Sequence, residues 1–421
     1  MKFTVPAFGL ALAVGAAPAI AQMGYGAPTA SGQQQQPQAT PAQDAGKEGQ
    51  IRPSNGALKA IIALQTAVNA NDFANVPVKA AEAQKVAKTK EDRYLIGQLQ
   101  LKAALAAKDN AGIASAIDVV AAAGYLEPAK VGELYRSLGG TFYNAKQFDP
   151  AAAAFDKAIA ADPKGQDAIL MLAETRNAQG RKAEAVSTFQ RAIQASIAAG
   201  QKPREEIYRR AVALAYEGSL ASAPELGRQW VTAYPSVDSW RNSIAIYRNL
   251  TKPDVEGTLD LLRLMQATNS LNAASDYNLF ATAAAEQSNY NEAKAVIDAG
   301  IAAKIVDPAS PLFRDTISAL KEKPIATTAD LAVATKTAAN GMALLRIGDR
   351  YYGMGEFAKA GELYRQSMGK PGVDSNVANL HLGMALARAG DKAAATAAFN
   401  AVTGARADIA KYWLLYLQSK A

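Results

Sequence analysis

One histidine and no cysteine in 421 residues leave few ways to assemble a catalytic site. Thiolate nucleophiles and zinc sets built from Cys and His are excluded for want of ligands and bases. His381 is the one imidazole a serine triad could use, but no Gly-x-Ser-x-Gly elbow accompanies it to present a strained, exposed hydroxyl. A surface or groove position is the simpler expectation for it. Two Ser-x-x-Lys spacings, Ser318 to Lys321 and Ser367 to Lys370, lack the Ser-Asp-Asn and Lys-Thr-Gly partners that acyl transfer also requires. Gly24 and Gly26 have no strand before them or helix after them, so they form no phosphate-cradling loop. The acidic pairs Glu91-Asp92 and Glu205-Glu206 fall at expected helix starts, where negative charge complements the N-terminal dipole. These residues point to a protein that is not an enzyme and uses no cofactor and no metal.

Charge excludes a second class. The formal net charge is +7, but residues 57–200 hold 17 basic against 14 acidic side chains and residues 201–421 hold 25 against 22. Basic runs are neutralised in place, as where Lys85, Lys88, Lys90 and Arg93 sit beside Glu82, Glu91 and Asp92. Mixed runs of this kind are solvated helix faces, and nucleic acid is not an expected partner. Residues 1–21 resemble a secretory signal: Lys2, an apolar stretch from Phe8 to Ala17, and the small residues of Ala19-Ile20-Ala21. Cleavage near Ala21 would deliver the chain to a bacterial periplasm or the medium. With no cysteine the chain is not expected to be anchored as a bacterial lipoprotein, and no later run reaches the ~20 apolar residues of a membrane span, so stable membrane insertion is not expected.

The elements that must position any site are helices. Residues 22–56 carry eight glutamines, four prolines and six glycines, with Ile51 as the sole aliphatic residue beyond alanine and methionine, and are expected to be a disordered linker. From Ala57 onward apolar residues recur at three- and four-residue spacing with breaks at Gly, Asn, Asp or Pro, and no strand period is sustained. Short helices of this kind must stack on neighbours to cover their apolar faces.

A repeat runs through them. Tyr135, Leu138, Gly139 and Phe142 are followed by Phe148, Ala151, Phe155, Ala158 and Pro163, and an offset of 34 turns Gly139 into Ala173, Ala151 into Ala185, Phe155 into Phe189 and Ala158 into Ala192. Gly348, Tyr351, Gly355, Phe357, Ala360 and Tyr364 form a third copy, and Gly383, Leu386, Gly390, Ala395 and Phe399 a fourth. This pattern resembles the tetratricopeptide repeat. The clearest copies are 132–165, 166–200, 341–375 and 376–410. Weaker ones lie at 57–125 and in the middle, around Trp230, Leu261 and Tyr277 to Ile297, and the segment 309–340 is the poorest, broken by Pro311 and Pro324. The resemblance implies an all-α, right-handed solenoid of about nine or ten antiparallel helix pairs over 57–410, with 411–421 as a C-terminal cap. Gly139 and Ala151 would let paired helices touch, and Phe155 would fill space toward the next repeat. The apolar end around Trp413 would be a cap or a contact between copies.

In such a solenoid the first helix of each pair lines the concave side. Carried over repeat by repeat, the groove would present Arg136 and Tyr143, then Leu170, Glu174 and Asn177, then Leu345, Asp349 and Tyr352, then Leu380, Met384 and Arg388. Where peptide-binding members of the family place the lysine and asparagine that clamp a terminal carboxylate, this chain has Arg136 with Gly140, Leu170 with Glu174, and Leu345 with Asp349, so that clamp is absent. The resemblance therefore implies a non-catalytic exported scaffold that holds a protein or peptide through side-chain pockets. The alternative is a cell-wall or polysaccharide export and assembly factor, with an envelope glycan as partner.

Overall fold

The computed structural model describes residues 51–419, and within that span every regular element is a helix. The expected signal segment at 1–21 and residues 22–50 of the expected linker lie outside it. The described chain falls into two compact units that divide between Gln201 and Lys202. No described helix is long and apolar enough to cross a membrane.

The first unit stacks four helix pairs: α1 (Leu58–Asn69) with α2 (Val76–Val86), α3 (Lys90–Ala107) with α4 (Asn110–Ala122), α5 (Pro128–Asn144) with α6 (Phe148–Ala161), and α7 (Gln166–Ala178) with α8 (Lys182–Ala198). Each pair turns through one residue with left-handed backbone: Asn71, Lys108, Lys146 and Gly180. A non-glycine residue accepts that conformation at a cost of ~1 kcal/mol, which the packing of the two helices offsets. The acidic residues at 91–92 do cap a helix. Thr89 and Asp92 form a reciprocal capping box at the start of α3.

Asp92 also corrects the end of the expected linker. The Ser54 backbone N–H donates to its Oδ1 at 2.7 Å and the Ser54 hydroxyl to its Oδ2 at 2.8 Å. Burial opposes the charge, but these bonds and those from the Lys88 and Thr89 backbones hold the carboxyl below its usual range. Ile51 packs on the apolar cores beside it, so 51–56 belong to the folded unit.

The second unit contains α9 (Glu205–Glu217), α10 (Ala223–Ala233), α11 (Val237–Thr251), α12 (Val255–Ala267), α13 (Ala274–Glu286), α14 (Tyr290–Ala302), α15 (Pro311–Lys321), α16 (Thr328–Lys336), α17 (Gly341–Gly353), α18 (Phe357–Met368), α19 (Ser375–Ala389), α20 (Lys392–Asn400) and α21 (Ala407–Ser419). The described chain thus holds ten helix pairs and one final helix. The poorest segment is structurally exceptional: α15 and α16 lack the left-handed turn residue, and α14 packs directly on α17. The final helix begins before the expected cap boundary. It lies against α20 and also against α10 and α12, where the Tyr412 hydroxyl donates to the Ser243 carbonyl at 3.2 Å. Trp413 stacks on Phe399 and is fully buried, so its ring is part of the chain's own core.

Repeat packing rests on one glycine–aromatic contact. A Cβ on Gly139 would sit 2.6 Å from the Phe155 ring, one on Gly348 2.6 Å from Tyr364, and one on Gly383 2.5 Å from Phe399. The aromatic ring therefore covers the glycine of its own repeat. Gly383→Ala should destabilise the second unit by about 1–3 kcal/mol, because Phe399 is buried against Trp413 and has no room to retreat. A urea midpoint equal to wild type would contradict that packing account.

Candidate functional site

The first unit carries the expected groove positions on adjacent helices. Arg136 and Tyr143 lie on α5, and Leu170, Glu174 and Asn177 on α7. An offset of 34 superposes Arg136 on Leu170 and Tyr143 on Asn177, as the repeat requires. All five are half-buried, with their backbones fixed by the repeat and their side chains within reach of solvent. Tyr143 is steadied by Phe148, whose ring meets it edge-on at 5.6 Å. Arg136 makes no ion pair with any described residue, so its guanidinium is available to an external acceptor. The face offers a cation, an aromatic ring, an aliphatic chain, a carboxylate and an amide within two repeats. At the C-terminal ends of α5 and α7 lies an open depression of about 890 Å³, lined in part by Phe142, Lys146, Phe148 and Arg181.

The second unit corrects the other half of the groove. Leu345, Tyr352, Leu380 and Met384 are only 0–3% exposed, Asp349 is buried, and Arg388 is half-buried over the Phe357 ring at 4.6 Å. No partner can touch the buried five in this state. The unit closes on itself: α12, far away in sequence, reaches α17 through Arg263 to Asp349 at 3.7 Å and α19 through Asp260 to His381 at 3.1 Å.

That closure encloses a charged cluster. Arg263 of α12 donates from Nε and Nη2 to the two carboxylate oxygens of Glu292, both at 2.8 Å, a bidentate pair. Its Nη1 lies 3.4 Å from Asp260 and 3.7 Å from Asp349, and its guanidinium stacks over Tyr352 at 4.8 Å. His381 is sandwiched between carboxylates, Nε2 3.1 Å from Asp260 and Nδ1 2.9 Å from Asp349. Both contacts are ion pairs lying off the line of the ring N–H, since neither meets hydrogen-bond geometry. Tyr364 donates its hydroxyl to Asp349 at 2.8 Å.

Burial opposes charge on His381 most strongly, yet Asp349 and Asp260 overcome it and push the imidazole up to about 10. Burial likewise works against Asp349, and His381, Arg263 and the Tyr364 hydroxyl hold its carboxyl below the usual range. Glu256 is raised, by burial and by the nearby Asp260 and Asp349, against the opposing pull of His381 and Arg406. Several polar atoms have no hydrogen-bond partner within the described chain, among them Asp260 Oδ2, the Tyr352 hydroxyl and Arg388 Nη1.

His381 is therefore not at a surface or in an open groove. It is 1% exposed and its two nitrogens face carboxylates, so it cannot take a proton from a substrate hydroxyl. Asp260, Arg263 and Glu292 escaped sequence reasoning, although one signal was present. Arg263 interrupts the run Leu261-Leu262-Arg263-Leu264-Met265, where a charge among apolar neighbours implies a buried partner.

No curated protein matches the chain by sequence. Among solved structures, the Naa15/Naa10 assembly bound to HypK-THB superposes with a TM-score of 0.39 at 11% identity, covering 82% of this chain and 62% of that one. The chain thus spans about 62% of that relative's length. The protein pilF of Pseudomonas aeruginosa gives 0.26 at 10% identity, over 63% of this chain and 99% of that one. A tetratricopeptide repeat protein from Parabacteroides merdae gives 0.21 at 12% identity, over 68% and 98%. None superposes closely enough to carry an argument about partner or mechanism. A tetratricopeptide repeat family model matches residues 137–200 and 345–410. Those spans hold the glycine–aromatic contacts Gly139–Phe155, Gly348–Tyr364 and Gly383–Phe399, and the chain carries tetratricopeptide repeats in both of its units.

Proposed function

We propose that the protein is a non-catalytic scaffold that receives a protein or peptide segment on the face formed by α5 and α7 of the first unit. The observation that carries this is the contrast between equivalent repeat positions. In the first unit they are half-exposed and chemically mixed, with Arg136 in no ion pair among the described residues; in the second they are buried. A mixed apolar and polar face without a lysine–asparagine clamp suits an internal segment read by side-chain pockets. The lack of catalysis is supported by the enclosure of the only histidine. Export belongs to the same proposal and is supported by Lys2, the apolar stretch that follows and Ala19-Ile20-Ala21.

Photo-crosslinking residues placed singly at Leu170 and Asn177, with exposed Ser187 of α8 as control, test the face in the protein's own cell envelope. Capture is expected at the first two positions and not at the third. It should fall at least tenfold when Arg136→Glu and Tyr143→Glu are added, since both sides of the contact would then be left unpaired. Equal capture at all three positions, or capture unaffected by the double substitution, would overturn the reading.

A further inference from the structure

We propose that the face formed by α5 and α7 selects a helical segment carrying an arginine among aliphatic residues, held by Tyr143 and Glu174. This rests on the binding face proposed above and names what that face would read.

The second unit shows what the same repeat positions hold when a helix covers them. Leu345, Asp349 and Tyr352 stand three before, one after and four after Gly348, which places them on one face of α17. Arg263 of α12 lies on that face. Its guanidinium carbon is 4.8 Å from the centre of the Tyr352 ring, and its Nη1 is 3.7 Å from Asp349. Leu261, Leu262, Leu264 and Met265 around it are at most 1% exposed, so α12 sets one arginine among aliphatic side chains. Glu292 of α14 holds this arginine bidentately; the ring and Asp349 are what α17 itself adds.

The first unit carries the same two groups on adjacent helices. Tyr143 stands four after Gly139, as Tyr352 stands four after Gly348, and Glu174 stands one after Ala173, as Asp349 does after Gly348. Leu170 takes the place of Leu345. The two tyrosines are also supported alike. Phe148, at the start of α6, meets Tyr143 at 5.6 Å and 63°, and Phe357, at the start of α18, meets Tyr352 at 5.0 Å and 70°. The difference is access: Tyr352 and Asp349 are buried, whereas Tyr143 and Glu174 are half-buried and within reach of a partner. A guanidinium suits both groups, since its plane stacks on an aromatic ring while its edge pairs with a carboxylate; an ammonium has no plane to stack. Arg136 does not contest the place. It stands seven residues before Tyr143, about 10 Å along α5 and so about one Debye length away at physiological salt.

The probe is a fluorescein-labelled peptide with the α12 sequence, residues 255–267, stapled as a helix on the side away from Arg263, with a second copy in which citrulline replaces that arginine. Citrulline keeps the planar group and loses the charge. Titrated with the full chain and followed by anisotropy, the arginine peptide should bind at least about fivefold more tightly than the citrulline peptide. Glu174→Gln should abolish that preference, and Tyr143→Ala should weaken the arginine peptide more than the citrulline one. Far-ultraviolet circular dichroism establishes that each variant is folded. Equal affinity for the two peptides, no binding of the arginine peptide, or a preference that persists in folded Glu174→Gln overturns the proposal. Crosslinking at Leu170 and Asn177 would still decide separately whether the face receives a partner at all.

Discussion

Arg263→Ala is expected to destabilise the second unit by about 3–5 kcal/mol, because removing one partner of a buried, hydrogen-bonded pair leaves an uncompensated charge in the interior. Here it would leave Glu292 without its bidentate partner, and Asp260 and Asp349 facing His381 as the cluster's only cation. Against a total stability of roughly 5–15 kcal/mol for a domain, the loss is large. All three tryptophans, Trp230, Trp240 and Trp413, lie in the second unit, so intrinsic fluorescence follows its unfolding while circular dichroism sees both units. The fluorescence midpoint in urea should fall sharply, and the part of the dichroism transition belonging to the first unit should stay in place. The paired change Arg263→Met with Glu292→Met separates charge from packing. Replacing both partners by apolar side chains of similar volume is close to neutral in other buried pairs, so much of the loss should be recovered. A fall of less than about 1 kcal/mol in Arg263→Ala would mean that the cluster is hydrated and not the desolvated interior described above.

The fold was legible in the sequence because tetratricopeptide packing is local. Gly139 and Phe155, or Gly383 and Phe399, stand 16 residues apart and touch, so the contact that fixes the helix pair is written within one repeat. The same locality made Trp230 and Leu261 recognisable as core residues in weak repeats. For the candidate groove, accessibility was legible in one unit and not in the other. Arg136, Tyr143, Leu170, Glu174 and Asn177 depend only on their own repeats and lie on an accessible face. Leu345, Leu380 and Met384 sit at equivalent positions but are buried, in a unit that also makes contacts such as Arg406 to Asp254, 152 residues apart. No periodic pattern encodes a pairing at that separation.

Stability of the second unit should fall as pH rises through the alkaline range, with His381 as the cause. Its imidazole titrates near 6.5 when free and is pushed up to about 10 in the fold, where Asp349 and Asp260 favour the imidazolium against burial. Between those values the folded state holds a proton that the unfolded state has released, so the stabilisation is complete below about 6.5 and disappears as pH climbs through about 10. Linkage puts the whole change at roughly 5 kcal/mol. Glu256 adds a smaller loss of the same sign just above its ordinary titration range, since its carboxyl is raised in the fold. Asp349 sets the acid limit with the opposite sign. Its carboxyl is held low, so its contribution is present above the ordinary value of 3.8 and is lost as pH falls through the folded value. The second unit should therefore be most stable in mildly acidic solution. Urea unfolding followed by tryptophan fluorescence at about pH 6 and about pH 9 measures the slope, and His381→Gln supplies the comparison. A glutamine side chain cannot bind the proton, so the variant should be weaker at the lower pH but nearly flat between the two. A flat wild-type profile over that range would mean that His381 is neutral in the fold, and the two carboxylates flanking it would then need another counter-charge.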